Sequence, residues 1–288
     1  MLKNHIAIPC ALLASMTVAS AHAELVYGVT QQQSLVSWDS AAPNALLSGM
    51  SIWGMQQNEV VLGIDLRPAT GEIYALGSFN RLYTLNRMNG QAMPVGVTFS
   101  TPLNGSNFGF DFNPMIDRIR VVSNTNNNYV LNPNTGALQA VATNVFYAAG
   151  DMNAGMDPNI VHSAYSNNRV GTTSTQLFGL DSGLDMLVKQ ANSAGTLNSV
   201  GSVGTDITEL GGFDISGMTN MAYAVIRDNA QTRSTFWTVD LMTGQGMMVG
   251  QIGGGEIITA MTVVPAPASL GLFGLAGLAA ARRRRPTR

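Results

Sequence analysis

Four aspartates stand at matching places along this chain: Asp65, Asp111, Asp157 and Asp214, each two residues after a glycine, Gly63, Gly109, Gly155 and Gly212. Carboxylates brought together from separate segments can serve as a general acid and a nucleophile or base, the pairing that hydrolyses glycosidic bonds. The same spacing has a structural meaning, because Asp beside Gly and Pro bonds nearby backbone in turns. A residue demanded by every repeat is more economically a turn or inter-repeat hydrogen-bonding element. Catalysis would need a difference between repeats, and the sequence displays little. No catalytic residue is assigned, and the enzyme reading stays open as the alternative.

The remaining reactive side chains are few. Cys10 is the only cysteine and lies in the N-terminal leader, so the body offers no thiolate and no Cys metal site. His162 is the only histidine between Glu24 and Val264, which excludes a His cluster for zinc. No G-x-S-x-G elbow supports it in a triad, and a partly exposed strand residue is its plainer role. Asp151, Asp157 and Asp181 lack the spacing of a calcium loop. No metal and no cofactor is expected. Asn124–Asn128, with Tyr129 and Tyr83, could meet sugar hydroxyls and ring faces, but asparagine runs also suit tight turns. Arg118 and Arg120 share a strand face and are expected to oppose Asp117 or Asp111. Met242, Met247 and Met248 read as core fillers.

These residues sit in a repeated frame. GIDLRPATGEIYALG (63–77), GFDFNPMIDRIRVVS (109–123) and GFDISGMTNMAYAVI (212–226) are copies, and GMDPNIVHSAYS from Gly155 is a worn one. Their glycines are 46, 46 and 57 residues apart. Nine residues after each Asp a second strand is under way, at Tyr74, Arg120, Ser166 and Tyr223. A third follows at Leu82–Asn86, Tyr129–Asn132, Leu177–Asp181 and Phe236–Asp240. A weaker fourth ends each unit near Val95, Val141, Val200 and Val249. Four short antiparallel strands recurring every 40 to 50 residues describe propeller blades. A lone blade cannot bury both faces, so blades must stack around an axis.

The ends of the body complete each other. Glu24–Pro43 reads as a blade beginning at its second strand. Glu256–Pro265, EIITAMTVVP, aligns with Glu59–Pro68, EVVLGIDLRP, a first strand. The C-terminal strand is therefore expected to pair with the N-terminal blade and close the ring, leaving no open edge. The fold class is all-β: a β-propeller of five four-stranded blades, four internal and one shared.

Residues 1–23 have the form of a secretory signal peptide, with Lys3, an apolar run from Ile6 to Val18, and small residues Ala21 and Ala23 at the cleavage site. Residues 24–264 form the repeat domain. Residues 265–288 carry Pro265-Ala266-Pro267, an apolar run Leu270–Ala281 and Arg282–Arg285. That run is shorter than the roughly 20 residues of an ordinary spanning helix. The body holds nine basic and seventeen acidic residues, a net charge of −8. An acidic body with one lysine argues against a nucleic-acid partner.

The three-part tail resembles the PEP-CTERM sorting signal of Gram-negative bacteria that make exopolysaccharide, which a membrane-bound exosortase recognises. Ala266 stands where the family's motif has Glu. GIDLRPATGEIYALG, LYTLN and GFDFNPMIDRIRVVSNTNNNYVLNPNTG are similar to an uncharacterised domain family of bacterial secreted proteins, over nearly all of Glu24 to Val264. That likeness implies architecture and export and carries no activity. The expectation is an exported protein of the cell envelope, outer surface or matrix, non-catalytic, binding exopolysaccharide or another envelope protein. It would touch membrane only through its tail before processing. An extracellular polysaccharide-acting enzyme using axial carboxylates is the alternative.

Overall fold

The computed structural model describes residues 23–227 and 232–265. Alternating apolar and polar residues, punctuated by Gly, Asn and Asp turns, fold into antiparallel hairpins throughout. Blade 1 contains β1 (Leu25–Thr30), β2 (Ser34–Asp39) and β3 (Ala42–Ser51). Blade 2 is β4 (Val61–Leu66), β5 (Ile73–Gly77), β6 (Arg81–Leu85) and β7 (Ala92–Val95). Blade 3 is β8 (Phe108–Asn113), β9 (Arg118–Ser123), β10 (Asn128–Leu131) and β11 (Leu138–Val141). After β12 (Phe146–Tyr147), blade 4 is β13 (Ile160–Tyr165), β14 (Leu177–Asp181), β15 (Met186–Gln190) and β16 (Thr196–Ser202). Blade 5 is β17 (Gly211–Ile215), β18 (Ala222–Ile226), β19 (Thr235–Val239) and β20 (Gly246–Gln251). The final strand, β21 (Ile258–Val264), returns to blade 1.

The result is a five-bladed β-propeller. Strands β21, β4, β8, β13 and β17 are innermost and touch in that order around the axis, β17 closing on β21. The expected closure is present: β21 pairs antiparallel with β1, from Leu25 opposite Val264 to Thr30 opposite Ile258. A second tie joins the start of the body to blade 5, where Glu24 accepts hydrogen bonds from Tyr223 Oη at 2.9 Å and Thr219 Oγ1 at 3.2 Å. The core is a set of clusters between blades. Trp38 meets Phe236 edge-on across the seam of blades 1 and 5, at 5.7 Å between centroids.

The fourth unit departs from its expected register. Leu177–Asp181 is its second strand rather than its third, and Ser166 directly follows its first strand rather than opening the second. The reason lies in GMDPN (155–159). Gly155 takes φ +85° and Pro158 has no N–H for a ladder, so this stretch is a loop and the inner strand starts only at Ile160. Strand β12 adds a short parallel fifth strand to the outer edge of β16.

All five inner strands run the same way along the axis. The turns therefore divide between a mouth face, where inner strands begin, and an opposite face, where they end. Pro265, the last described residue, lies on the opposite face.

Candidate functional site

The inner strands build the axis in layers. At the level of Gly63, Gly109 and Gly212 the strands approach very closely. A Cβ added to Gly63 would stand 2.7 Å from Phe110 Cβ, one at Gly109 2.7 Å from Ser163 N, and one at Gly212 2.7 Å from Met261 N. Glycine is needed here because atoms of the neighbouring inner strand fill the space a side chain would take. Blade 1 has Ala260 at this level and blade 4 has His162.

Two residues further along, Asp65, Asp111 and Asp214 converge. One oxygen of each lies within 4.8 Å of the others, and the residues are 1%, 1% and 2% exposed. Each reaches into the next blade. Asp65 Oδ2 accepts the N–H of Phe112 at 2.8 Å, Asp111 Oδ1 that of Tyr165 at 3.0 Å, and Asp214 Oδ2 that of Val263 at 2.6 Å. In blade 1 Thr262 holds the same position, its Oγ1 accepting the N–H of Leu66 at 3.0 Å. The Thr262 hydroxyl lies 3.0 Å from both Asp65 Oδ1 and Asp214 Oδ2, to either of which it can donate. In blade 4 Ala164 breaks the series, and Ile215 N–H turns to Asp214 Oδ1 at 2.6 Å instead.

Asp157 does not join them. It is exposed on the loop before β13 and accepts from Asn126 Nδ2 at 2.6 Å. Gly155 is likewise on that loop, while Gly63, Gly109 and Gly212 are on inner strands. Of the other positions singled out in the sequence, Ala23 and Pro265 are described; Ala21, Ala266, Pro267 and the apolar run Leu270–Ala281 lie outside the described residues. Among the described residues no helix is long and apolar enough to cross a membrane.

Burial first, and then the neighbouring carboxylates, raises the Asp65 and Asp111 carboxyls well above the usual range. Burial pushes Asp214 up to about 7 against the pull of its backbone donors. The ion pair of Arg67 with Asp117 lies elsewhere. Three clustered carboxyls offer hard oxygen ligands of the kind Ca²⁺ takes. Here, however, each carboxyl already uses an oxygen to hold a backbone N–H across a blade seam.

Above this layer the axis opens. Ser163 Oγ and His162 Nε2, both buried without a hydrogen-bond partner, line a void of about 20 Å³, the size of one water. His162 is buried rather than partly exposed, its ring nitrogen abutting Gly211, and burial lowers its pKa to about 4. It is therefore neutral at pH 7. The mouth itself is a cavity of about 280 Å³ that His162 also lines. Every blade contributes: Gln31 and Gln33 from blade 1, Leu62 from blade 2, Asn107 from blade 3, His162 from blade 4, and Glu209 from the loop into blade 5. Asn107 Nδ2 donates to Glu209 Oε2 at 2.8 Å, and Gln33 Oε1 accepts the N–H of Val61 at 2.7 Å. No lysine or arginine lines this cavity.

Several sequence expectations take a different form. Asp117 binds Arg67 of blade 2 and Arg118 donates to Gln139 Oε1, whereas Arg120 does stand opposite Asp111 in the β8–β9 register, its guanidinium donating to Asn128 Oδ1. Tyr83 and Tyr129 are buried, Tyr83 donating to Glu59 at 2.5 Å and Tyr129 accepting from Asn104 N at 2.9 Å. The asparagine run makes a turn, with Asn124 Oδ1 accepting from Ser106 N and Asn126 at φ +68°. Met242, Met247 and Met248 are exposed, at 83%, 66% and 47%. Sequence reasoning passed over Thr262, although aligning EIITAMTVVP with EVVLGIDLRP puts it opposite Asp65.

No curated protein matches this chain. Among solved structures, a protein of unknown function from Bacteroides thetaiotaomicron superposes with a TM-score of 0.50 at 12% identity, over 86% of this chain and 68% of that one. A chain of the nidogen/laminin complex gives a TM-score of 0.48 at 10% identity, over 84% of this chain and 98% of that one. At such identities the first likeness concerns the fold alone. A PEP-CTERM protein-sorting motif matches residues 263–285, which marks an exported protein of a Gram-negative bacterium whose tail is processed by an exosortase. The repeats, the closed ring and a family model spanning residues 34–262 agree: the chain belongs to the family described as Domain of unknown function (DUF4394).

Proposed function

We propose that this exported protein is a non-catalytic binding propeller of the cell envelope, whose axial mouth takes a neutral sugar unit of exopolysaccharide. The leader 1–23 would direct export, and the apolar run Leu270–Ala281 would hold the chain in the membrane until exosortase acts. The observation that carries the reading is the mouth cavity, to which every blade contributes. It offers amide side chains, a neutral histidine and apolar walls, the mixture that orients small polar ligands. Glu209 on its rim and the absence of lysine and arginine from its lining disfavour phosphate or uronate.

The enzyme alternative loses support from the burial of Asp65, Asp111 and Asp214. A glycosidase needs carboxyls that reach the scissile bond from both sides, about 5 Å or more apart and open to substrate. These three are closer, fully buried, and absent from the mouth lining.

The test is co-sedimentation of the protein with exopolysaccharide from its own host, following polymer length in parallel. Binding with unchanged length supports the reading. Shortening of the polymer turns it to the enzyme, and an unbound, uncut polymer removes the glycan and leaves a protein partner.

A further inference from the structure

The face opposite the mouth carries a second message, independent of the sugar reading. Hairpin tips on this side expose Met88, Met115, Ile116, Val170, Met218 and Met242, from blades 2 to 5, with Met88 at 87% and Met242 at 83%. Exposed apolar residues scattered singly are ordinary. The mouth-side turns expose apolar side chains as well, Trp53, Phe79, Val97 and Met152 among them, so what distinguishes the tail-side face is its methionine-rich set of tips together with the cavity and cations beside them. That cavity, of about 550 Å³ at the end of the axis, is lined by Leu66, Val170, Met218, Val264 and the cations Arg87 and Arg169.

Charge is divided between the two faces. Mouth-side turns carry Asp157, Asp185, Asp206, Glu209 and Glu256 against Arg81, Arg227 and Arg233. On the opposite face Arg67 neutralises Asp117, and Arg87, Arg118 and Arg169 balance Asp39, Glu72 and Asp240. The named mouth-side turns therefore carry a net negative charge and the named tail-side groups balance, while much of the body's acidity is buried, at Glu24, Glu59, Asp65, Asp111, Asp181 and Asp214.

Pro265 also lines this second cavity, so the sorting tail departs from beside the axis. The apolar run begins at Leu270, and five residues reach at most about 18 Å even when fully extended. With that run in a bilayer, this face lies within that distance of the headgroups.

We propose that, before exosortase cleavage, the tail-side face docks on an anionic bilayer surface. The methionine, isoleucine and valine tips enter the headgroup region, and Arg87 and Arg169 meet lipid phosphates. Met suits such a contact, being flexible and apolar and able to fit an irregular surface. The mouth then points away from the membrane.

The experiment uses the full chain with Cys10→Ser, reconstituted in phosphatidylethanolamine vesicles containing phosphatidylglycerol. Single fluorescent labels are placed at Met242→Cys on the docking face, Phe79→Cys on the mouth face and Ala276→Cys in the tail. With nitroxide on the headgroups, the label at 242 should lose most of its emission while that at 79 keeps it. Nitroxide in the acyl chains should quench the label at 276. Adding Met88→Ser and Met218→Ser should restore several-fold emission at 242 without changing the tail signal. Quenching alike at 242 and 79, or at neither while the tail is inserted, overturns the docking. Protection at 242 that requires an added protein instead of lipid overturns it too, and so does a tail label that stays out of the acyl region.

Discussion

The carboxylate of Asp65 accepts the backbone N–H of Phe112 at 2.8 Å, a partner 47 residues further on and one blade around the ring. With the matching bonds of Asp111, Asp214 and Thr262, four of the five seams are stitched at one level of the axis. A repeated residue here joins one repeat to the next.

Removing an acceptor leaves a buried N–H unpaired, which costs about 1–3 kcal/mol. Asp65→Ala, Asp111→Ala and Asp214→Ala should each lower stability by that amount in urea unfolding. Asp157→Ala, on an exposed loop, should stay within about 0.5 kcal/mol of the parent. Equal losses at all four positions would contradict the stitched axis.

The glycine layer makes a steric prediction. Gly109→Ala drives a methyl into Ser163 and Gly212→Ala into Met261 N, so each should lose about 1–3 kcal/mol by overpacking. Gly150→Ala, with nothing within 4 Å and no positive φ, is the control and should change the melting temperature little.

Stability should depend on pH with opposed contributions. Asp214 titrates near 7 in the fold and near 3.8 when unfolded, so the folded state holds the extra proton between those values. Its contribution is complete below about 4 and declines by about 1 kcal/mol per pH unit as pH rises towards 7. Asp65 and Asp111 act in the same direction. His162, lowered from 6.5 to about 4, does the reverse: its contribution is present above 6.5 and is lost as pH falls through 4. Asp214→Asn should therefore flatten the decline of melting temperature from pH 4 to 7, and His162→Gln should remove the opposing loss on acidification. Thermal melts across that range decide both.

At the mouth, His162→Ala removes a polar contact from the floor of the cavity. Neutral oligosaccharide should bind at least about tenfold more weakly, the scale of one hydrogen bond of about 1.4 kcal/mol. With no lysine or arginine lining the cavity, parent affinity should change little between low and high salt. Titration calorimetry reads both, and a steep salt dependence would point to a charged ligand.

Much of this was legible in the residues. Gly-x-Asp at Gly63, Gly109 and Gly212 located three inner strands and the carboxyls that meet, and EIITAMTVVP disclosed the closing strand. The fourth copy misled because Gly155-Met-Asp157 imitates the motif. Pro158, directly after that Asp, was the warning: in the first two copies the proline comes three residues later, at Pro68 and Pro114. The burial of His162 and the exposure of Met242 were not legible. Both depend on which face of the ring a strand or turn occupies, and local pattern does not encode that.

The closing strand also determines how the molecule bears load. Tension along the tail pulls β21 lengthwise, parallel to its own axis. Its six register pairs with β1, from Leu25–Val264 to Thr30–Ile258, are then strained together in shear and not peeled apart one at a time. A tethered propeller of this construction resists extraction by the whole ladder at once, so force on the tail is borne by the strand that closes the ring.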